Sequence, residues 1–268
     1  LLDAIIASFL VTGAVSWLYY SDRLLEFPLG LFGIAIATVI LPGLSRHYAA
    51  ASEEAFKYTL DWAVRFICLF GIPSMMGLIV LAEPIIASVF MRGEFTAEDV
   101  VKTSHSLIAY NTGLVALMLI KVLAPAFYAR QDIKTPVRIA IIAMVANMGF
   151  NLMLAPFLSY VGLALATALS GTLNAYLLYR GLKQRDIYSF SSKTCWFIAK
   201  AFIAAAVMAS CIFYVMPDLV GWIALGLSGQ VLHLLAYFAF AIVAYFVLLF
   251  VFGVRLSDFK RQTNAESK

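Results

Sequence analysis

The chain has 268 residues, of which 63% are hydrophobic and only 13% charged, and its formal net charge is +4. A water-soluble domain of this length needs a larger polar surface, so the composition excludes a soluble enzyme or binding module. Runs of about 20 apolar residues, the length of a helix that crosses a hydrocarbon layer about 30 Å thick, recur along the sequence. We therefore predict an all-α integral membrane protein, folded as a polytopic helical bundle.

The apolar runs predict about eight transmembrane helices. Their predicted bounds are Leu1–Tyr20, Leu24–Leu44, Trp62–Leu81, Leu107–Tyr128, Val137–Leu158, Val161–Leu182, Trp196–Met216 and Val231–Val254. The only sizeable external loop is predicted at Glu83–Val101. Because the sequence starts at Leu1 inside an apolar run, without an initiator Met, we expect the chain to be part of a longer protein.

The basic residues predict the orientation of these helices. Of the 19 Lys and Arg, 15 fall in the loops after predicted helices two, four and six and in the C-terminal tail, whereas only Arg92 and Lys102 fall on the opposite side. Cytoplasmic loops are enriched in Lys and Arg. We therefore predict that the C-terminus is cytoplasmic and that the first helix runs outward.

Three charges stand between the first two apolar runs. Asp22 and Glu26 are four residues apart and Arg23 and Glu26 three apart, so on a helix they share one side. Pro28, which follows, allows the helix to bend or break. Charged groups at membrane depth usually face a cavity or a partner, which makes this a candidate functional site. A short external turn, whose ions pair with one another in the headgroup region, fits the same spacing.

Two long stretches, Ser16–Pro28 and Lys121–Pro136, resemble the corresponding stretches of the MurJ (MviN) family of the multidrug/oligosaccharidyl-lipid/polysaccharide (MOP) exporter superfamily. The resemblance covers essentially the whole chain and implies the last eight of fourteen helices. Residues 1–182 would then be part of the second lobe of the transporter core, and residues 183–268 two accessory helices with a cytoplasmic tail.

Members of this family move lipid II, the undecaprenyl-pyrophosphate-linked precursor of peptidoglycan, across the bacterial inner membrane. The resemblance implies a multi-pass flippase of cell wall biogenesis, without covalent catalysis or organic cofactor, that works by alternating access with an N-terminal lobe. Arg23 matches the family's cavity arginine, so it is expected to bind the substrate's pyrophosphate, with Asp22 and Glu26 orienting it. The accessory helices are expected to line a groove for the lipid tail.

A second polar set suggests a candidate Na⁺ site. Asp3 lies in the first predicted helix, Asn147 and Asn151 share one face of the fifth, and Thr167 lies in the sixth. Some MurJ-like proteins bind Na⁺ between these helices, but Asn151 stands where a second carboxylate is expected. Hydrogen bonding between membrane helices explains the same residues, and we favour it.

Other functions fit parts of the sequence. A flippase for another polyprenyl-linked oligosaccharide would share the fold. An intramembrane polyprenyl-phosphate glycosyltransferase would need clustered acidic residues for metal-assisted transfer, whereas the cluster Glu94, Glu98 and Asp99 is explained as a helix start. A structural membrane subunit would leave Arg23 dispensable.

Overall fold

The structure, a computed structural model, describes residues 6–254 and is helical almost throughout that range. We number its helices in chain order. They are α1 (Ala14–Ala49, with a π-helical segment at Leu29–Ile34), α2 (Glu53–Val80), α3 (Ala82–Phe90), α4 (Ala97–Asn111), α5 (Leu114–Tyr128), α6 and α7 (residues 134–158 and 160–184, the two parts of Lys134–Gln184), α8 (Ser192–Val215), α9 (Leu219–Ala224) and α10 (Gly226–Val251).

The predicted break between the first two spans, at residues 20–24, is wrong. Helix α1 runs without interruption through this segment and starts at Ala14, directly after Gly13, whose positive φ of 97° supplies the turn. Residues 14–27 contain neither Gly nor Pro, so nothing local ends the helix there. The charges at 22, 23 and 26 therefore lie inside a membrane helix, and the external turn is excluded.

Pro28 changes the hydrogen-bonding pattern of α1 but does not break the helix. Its ring removes one backbone donor, and the six residues after it, Leu29–Ile34, adopt a π-helix before α-helical geometry resumes at Ala35. Short π-helical segments occur often at functional sites. This one lies one and a half turns beyond Arg23.

The fifth and sixth predicted spans are confirmed as separate helices. Ser159, with φ 50° and ψ −134°, breaks the 51-residue helical stretch near its middle. Asn147 and Ser170, which lie at similar distances on either side of Ser159, are joined by a hydrogen bond of 3.4 Å. Since residues equally far from the break meet in space, α6 and α7 run antiparallel.

Among residues 6–254, six helical stretches are long and apolar enough to cross a membrane, and one of these is the pair α6–α7. The chain is therefore a multi-pass helical membrane protein, as predicted. The count of eight remains a prediction because residues 1–5 of the first span lie outside the described range. The division into two domains at residue 182 also remains a prediction. The predicted external loop is only partly a loop, since α3 and the start of α4 lie within it.

Side-chain contacts bring three of the predicted cytoplasmic loops together at one end of the bundle. At this end the Arg130 guanidinium lies 5.1 Å from the Tyr48 ring, and Arg185 donates to Asp132. These residues belong to three loops that the basic residues predict to be cytoplasmic. This grouping of loops is consistent with the predicted topology. Which end of the bundle faces the cytoplasm remains a prediction.

Candidate functional site

Arg23 and Glu26 form an ion pair on the open side of α1. Arg23 Nη1 lies 2.8 Å from Glu26 Oε2, and the two side chains are 56% and 51% exposed. The guanidinium also lies 5.0 Å from the centre of the Tyr19 ring, a cation–π arrangement. Asp22 is exposed as well. The structure thus brings the three predicted residues onto one face, while their part in binding remains a prediction.

The neighbours of these charges hold α1 in this orientation. Ser21 and Leu25 are buried, and Ser21 Oγ lies 2.8 Å from the Thr103 carbonyl oxygen of α4. In the first turn of α1, Trp17 Nε1 donates to Asp99 Oδ1 of α4 at 2.8 Å. Sequence analysis missed Ser21. Ser21 stands beside charged residues, so the local sequence gives no sign that its hydroxyl is buried.

Arg23 lies within a helical stretch that is long and apolar enough to cross a membrane. It is nine residues after the start of α1, or about 14 Å at 1.5 Å per residue. A charged side chain near the bilayer centre costs about 2.5–3.5 kcal/mol on insertion scales, and such groups usually face a bundle interior or a water-filled cavity. The exposed face that carries Arg23 is therefore suited to a polar cavity and poorly suited to contact with lipid.

An apolar groove of about 610 Å³ lies beside this face. Leu24 and Phe27 of α1, the immediate neighbours of Arg23 and Glu26, form part of its wall. The rest of the wall comes from α2, α3, α8 and α10, including Phe70, Ile85, Met208, Phe238 and Phe246. The groove thus has an aliphatic and aromatic lining, and two of its wall residues are next in sequence to the Arg23–Glu26 ion pair.

The candidate Na⁺ residues lie where α6 meets α7. Asn151 Nδ2 donates to Asn147 Oδ1 at 3.1 Å, and the Asn147 amide in turn contacts Ser170 Oγ. The Thr167 hydroxyl donates to the Leu163 carbonyl of its own helix at 3.2 Å. The structure therefore displays the hydrogen bonding between helices that we favoured, and it adds Ser170, which the sequence analysis missed.

Asp3, the fourth predicted Na⁺ ligand, lies outside the described residues. Within residues 6–254 no group of three or more His, Cys, Asp or Glu side chains is arranged to hold a metal ion. Asn151 is fully buried and supplies only neutral donor and acceptor atoms. Na⁺ binding between these helices remains a prediction.

Comparison with known proteins identifies the family. The model of the family "Lipid II flippase MurJ" matches residues 1–227. Probable lipid II flippases MurJ of Vibrio cholerae and Haemophilus influenzae are 52% and 54% identical over 98% and 95% of this chain. The chain covers 50% and 51% of those two proteins, so it spans about half the length of the curated relatives it matches.

Comparison of the fold with solved structures gives the same family. A solved structure of a lipid II flippase MurJ in an inward closed conformation aligns with a TM-score of 0.77 and 27% sequence identity, over 92% of this chain and 49% of that one. On the family model, the close relatives and the shared fold, this chain belongs to the lipid II flippase MurJ family.

Proposed function

We propose that this chain is the second lobe, with two accessory helices, of a flippase that moves lipid II from the cytoplasmic to the periplasmic leaflet of the bacterial inner membrane. The observation that carries the proposal is the position of Arg23. Its side chain is exposed on a helical stretch that could cross a membrane, and its neighbour in sequence, Leu24, lines an apolar groove. Lipid II has the matching chemistry, because a pyrophosphate links its sugar–peptide head to a long polyprenyl tail.

In this proposal Arg23 receives the pyrophosphate. The guanidinium stays charged at any physiological pH and offers planar, multidentate donors to phosphate oxygens. Before the substrate arrives, Glu26 neutralises Arg23 across 2.8 Å. The substrate's anion then displaces this carboxylate, and Asp22 and Glu26 act as alternative partners that hold the guanidinium when the site is empty.

The groove takes the polyprenyl tail. Its lining is almost entirely apolar, so each buried methylene of a tail contributes about 0.8 kcal/mol relative to water. A tail seated between α1, α2 and α10 would keep the head group close to Arg23. The flippase therefore needs to carry only the polar head through its cavity, with the tail remaining in an apolar environment.

A complete path needs another lobe besides this one. We propose that a further lobe of the same polypeptide covers the face of Arg23 and that the two lobes open alternately to either side of the membrane. The exposure of Arg23 and the half-length coverage of the relatives support this arrangement. The distribution of basic residues supports a cytoplasmic C-terminus. Na⁺ is a candidate coupling ion, with Asn147, Asn151, Thr167 and Asp3 as candidate ligands.

Complementation tests the proposal. A strain depleted of its lipid II flippase is supplied with the full-length protein carrying Arg23, Arg23→Ala or Arg23→Lys, each at equal membrane abundance. We expect growth with Arg23, no growth with Arg23→Ala and partial growth with Arg23→Lys, which keeps the charge without the planar fork. Growth with all three would show that Arg23 is not required for substrate transport. Growth with none would favour a flippase for another polyprenyl-linked oligosaccharide.

A further inference from the structure

A buried polar cluster joins the core of the lobe to the last two membrane helices. It consists of Asp61 and Arg65 of α2, Tyr188 and Ser191 of the linker between α7 and α8, and Thr194 in the first turn of α8. We call it the Asp61 joint. Asp61 and Thr194 are buried, and the Asp61 and Arg65 side chains are only 10% and 17% exposed.

The Asp61 carboxylate accepts hydrogen bonds from each of the other four members. Its Oδ1 atom accepts from Thr194 Oγ1 at 2.7 Å and from Tyr188 Oη at 2.9 Å, and Ser191 Oγ lies 3.4 Å from Oδ2. Arg65 forms an ion pair with Oδ2, and its Nε also donates to Thr194 Oγ1 at 3.0 Å. The carboxylate therefore links residues that are 127 to 133 positions apart.

The joint also stabilises the start of α8. Ser191 is the N-cap of this helix, and its hydroxyl accepts from the Thr194 backbone N–H at 3.1 Å. The first turn of a helix carries a partial positive charge, so a carboxylate beside it is favourable. Asp61 thus serves as the anion at the N-terminus of a helix that belongs to a different part of the chain.

The rest of the accessory unit depends on α8. This helix packs along α2 through buried small residues, Ala201, Ala204 and Ala205, which allow close approach of the two backbones. Helix α10 packs against α8 and α3. The α10 side of the groove, with Ile242 and Phe246, is therefore held at its distance from the α1 side largely through α8.

We infer that Asp61 is a positioning residue for the lipid tail: the joint locks the accessory helices onto the lobe that bears Arg23, so that the tail groove and the head-group site move as one body. This inference rests on the proposed function. Buried ion pairs contribute little net stability relative to apolar residues but can specify one arrangement of a fold. Here the arrangement that the Asp61 joint specifies is the distance between the α1 and α10 walls of the groove.

Two variants and a rescue test the joint in the full-length protein. Asp61→Asn removes the carboxylate. Thr194→Val keeps the size of the side chain and the Asp61–Arg65 pair but removes the link to α8, so it remains informative if Asp61→Asn folds poorly. Thr194→Ser restores the hydroxyl. Asp186→Asn is the matched control, because Asp186 is an exposed carboxylate in the same linker.

The first readout is the width of the groove. Spin labels at Phe27→Cys and Ile242→Cys, on opposite walls, report the distance distribution after the exposed cysteines are removed by Cys195→Ser and Cys211→Ser. We expect one narrow distribution for the parent, Thr194→Ser and Asp186→Asn, and a broader or shifted one for Asp61→Asn and Thr194→Val. An unchanged distribution in both of these variants would overturn the inference.

The second readout separates the joint from the proposed function. Binding of undecaprenyl diphosphate and of geranyl diphosphate is measured in the unlabelled proteins. The variants Asp61→Asn and Thr194→Val should bind undecaprenyl diphosphate about tenfold more weakly, the loss expected when roughly two methylenes leave the groove. They should bind geranyl diphosphate with the same affinity as the parent. Equal loss for both probes would assign Asp61 to overall folding. If the parent binds neither, the proposed function fails while the distance measurement still decides on the joint.

Discussion

The hydroxyl of Ser21 lies 2.8 Å from the carbonyl oxygen of Thr103, a contact between two fully buried residues that are 82 positions apart. The same hydroxyl lies 2.7 Å from the Trp17 carbonyl oxygen of its own helix, so its single proton is shared between two acceptors. Ser21 directly precedes Asp22 and Arg23, so its burial against α4 helps to fix the rotation of α1 about its axis. With Ser21 facing α4, the next two residues face away from the bundle. The exposed charges therefore depend on a buried hydroxyl that does not touch them.

Replacing Ser21 by alanine should weaken this orientation. We expect Ser21→Ala to lose about 0.5–1.5 kcal/mol of stability, the usual net contribution of one hydrogen bond, and to reduce flipping with Arg23 still present. Thermal unfolding and complementation measure the two effects. Ser210→Ala is the control, because the Ser210 hydroxyl is exposed and contacts only a carbonyl of its own helix, that of Ala206. Equal effects of both substitutions would contradict the assigned role.

Glu26 should compete with the substrate's anion for Arg23. In Glu26→Gln the guanidinium loses its ionic partner, so a polyprenyl diphosphate should bind about two- to fivefold more tightly, a small gain because exposed ion pairs are weak. Isothermal titration measures the affinity. Glu98→Gln removes a similar exposed pair, with Lys102, at the end of the bundle and should leave the affinity unchanged. Weaker binding in Glu26→Gln would instead make Glu26 part of the site.

Gly113 allows close packing at the junction of α4 and α5. A Cβ atom at this position would lie 2.6 Å from the Ala168 Cα atom of α7, and a backbone atom cannot move aside cheaply. Gly113→Ala should therefore destabilise the protein by about 1–3 kcal/mol, the usual cost of overpacking. Gly149→Ala, where a Cβ meets nothing within 4 Å, is the control. Equal melting temperatures for the two variants would show that the junction relaxes.

Asp132 should make one end of the bundle sensitive to acid. The Thr135 hydroxyl and backbone amide, together with the Arg185 guanidinium, lower the pKa of Asp132 from 3.8 to about 2. Because the folded pKa is depressed, this stabilisation is complete above about pH 4 and is lost as the pH falls through about 2. The stability difference between the parent and Asp132→Asn should shrink over that interval in detergent unfolding experiments. A difference independent of pH would show that the carboxylate charge is not responsible.

Asn151 should decide whether Na⁺ binds between α6 and α7. Its side chain is buried and neutral. Asn151→Asp adds the hard anionic oxygen that such a cation favours, so this variant should gain thermal stability in NaCl relative to KCl. The parent should show a smaller gain or none, as expected if hydrogen bonding between helices is the role of Asn151. A strong Na⁺-specific gain in the parent would establish the ion site as it stands.

The sequence by itself determined the class of the protein and most of its membrane helices. A helix inserts where about 20 apolar residues follow one another, a local property, and so the spans near α2, α6, α7, α8 and α10 were predictable. Their starts were less so, since α2 begins at Glu53 and not at the predicted Trp62. The helical spacing of Arg23 and Glu26 likewise predicted their pairing. The same reasoning misplaced the start of α1, because charges between apolar runs were interpreted as a boundary and Gly13 was not.

Only the tertiary structure decided which way the charges face and what lies beside them. The contact of Ser21 with Thr103 and that of Asp61 with Thr194 join residues 82 and 133 positions apart. The groove likewise takes its walls from five helices, α1, α2, α3, α8 and α10. A periodic pattern reports which residues share a face of one helix but not which neighbour that face will meet. That choice is made by the packing free energy of the whole bundle.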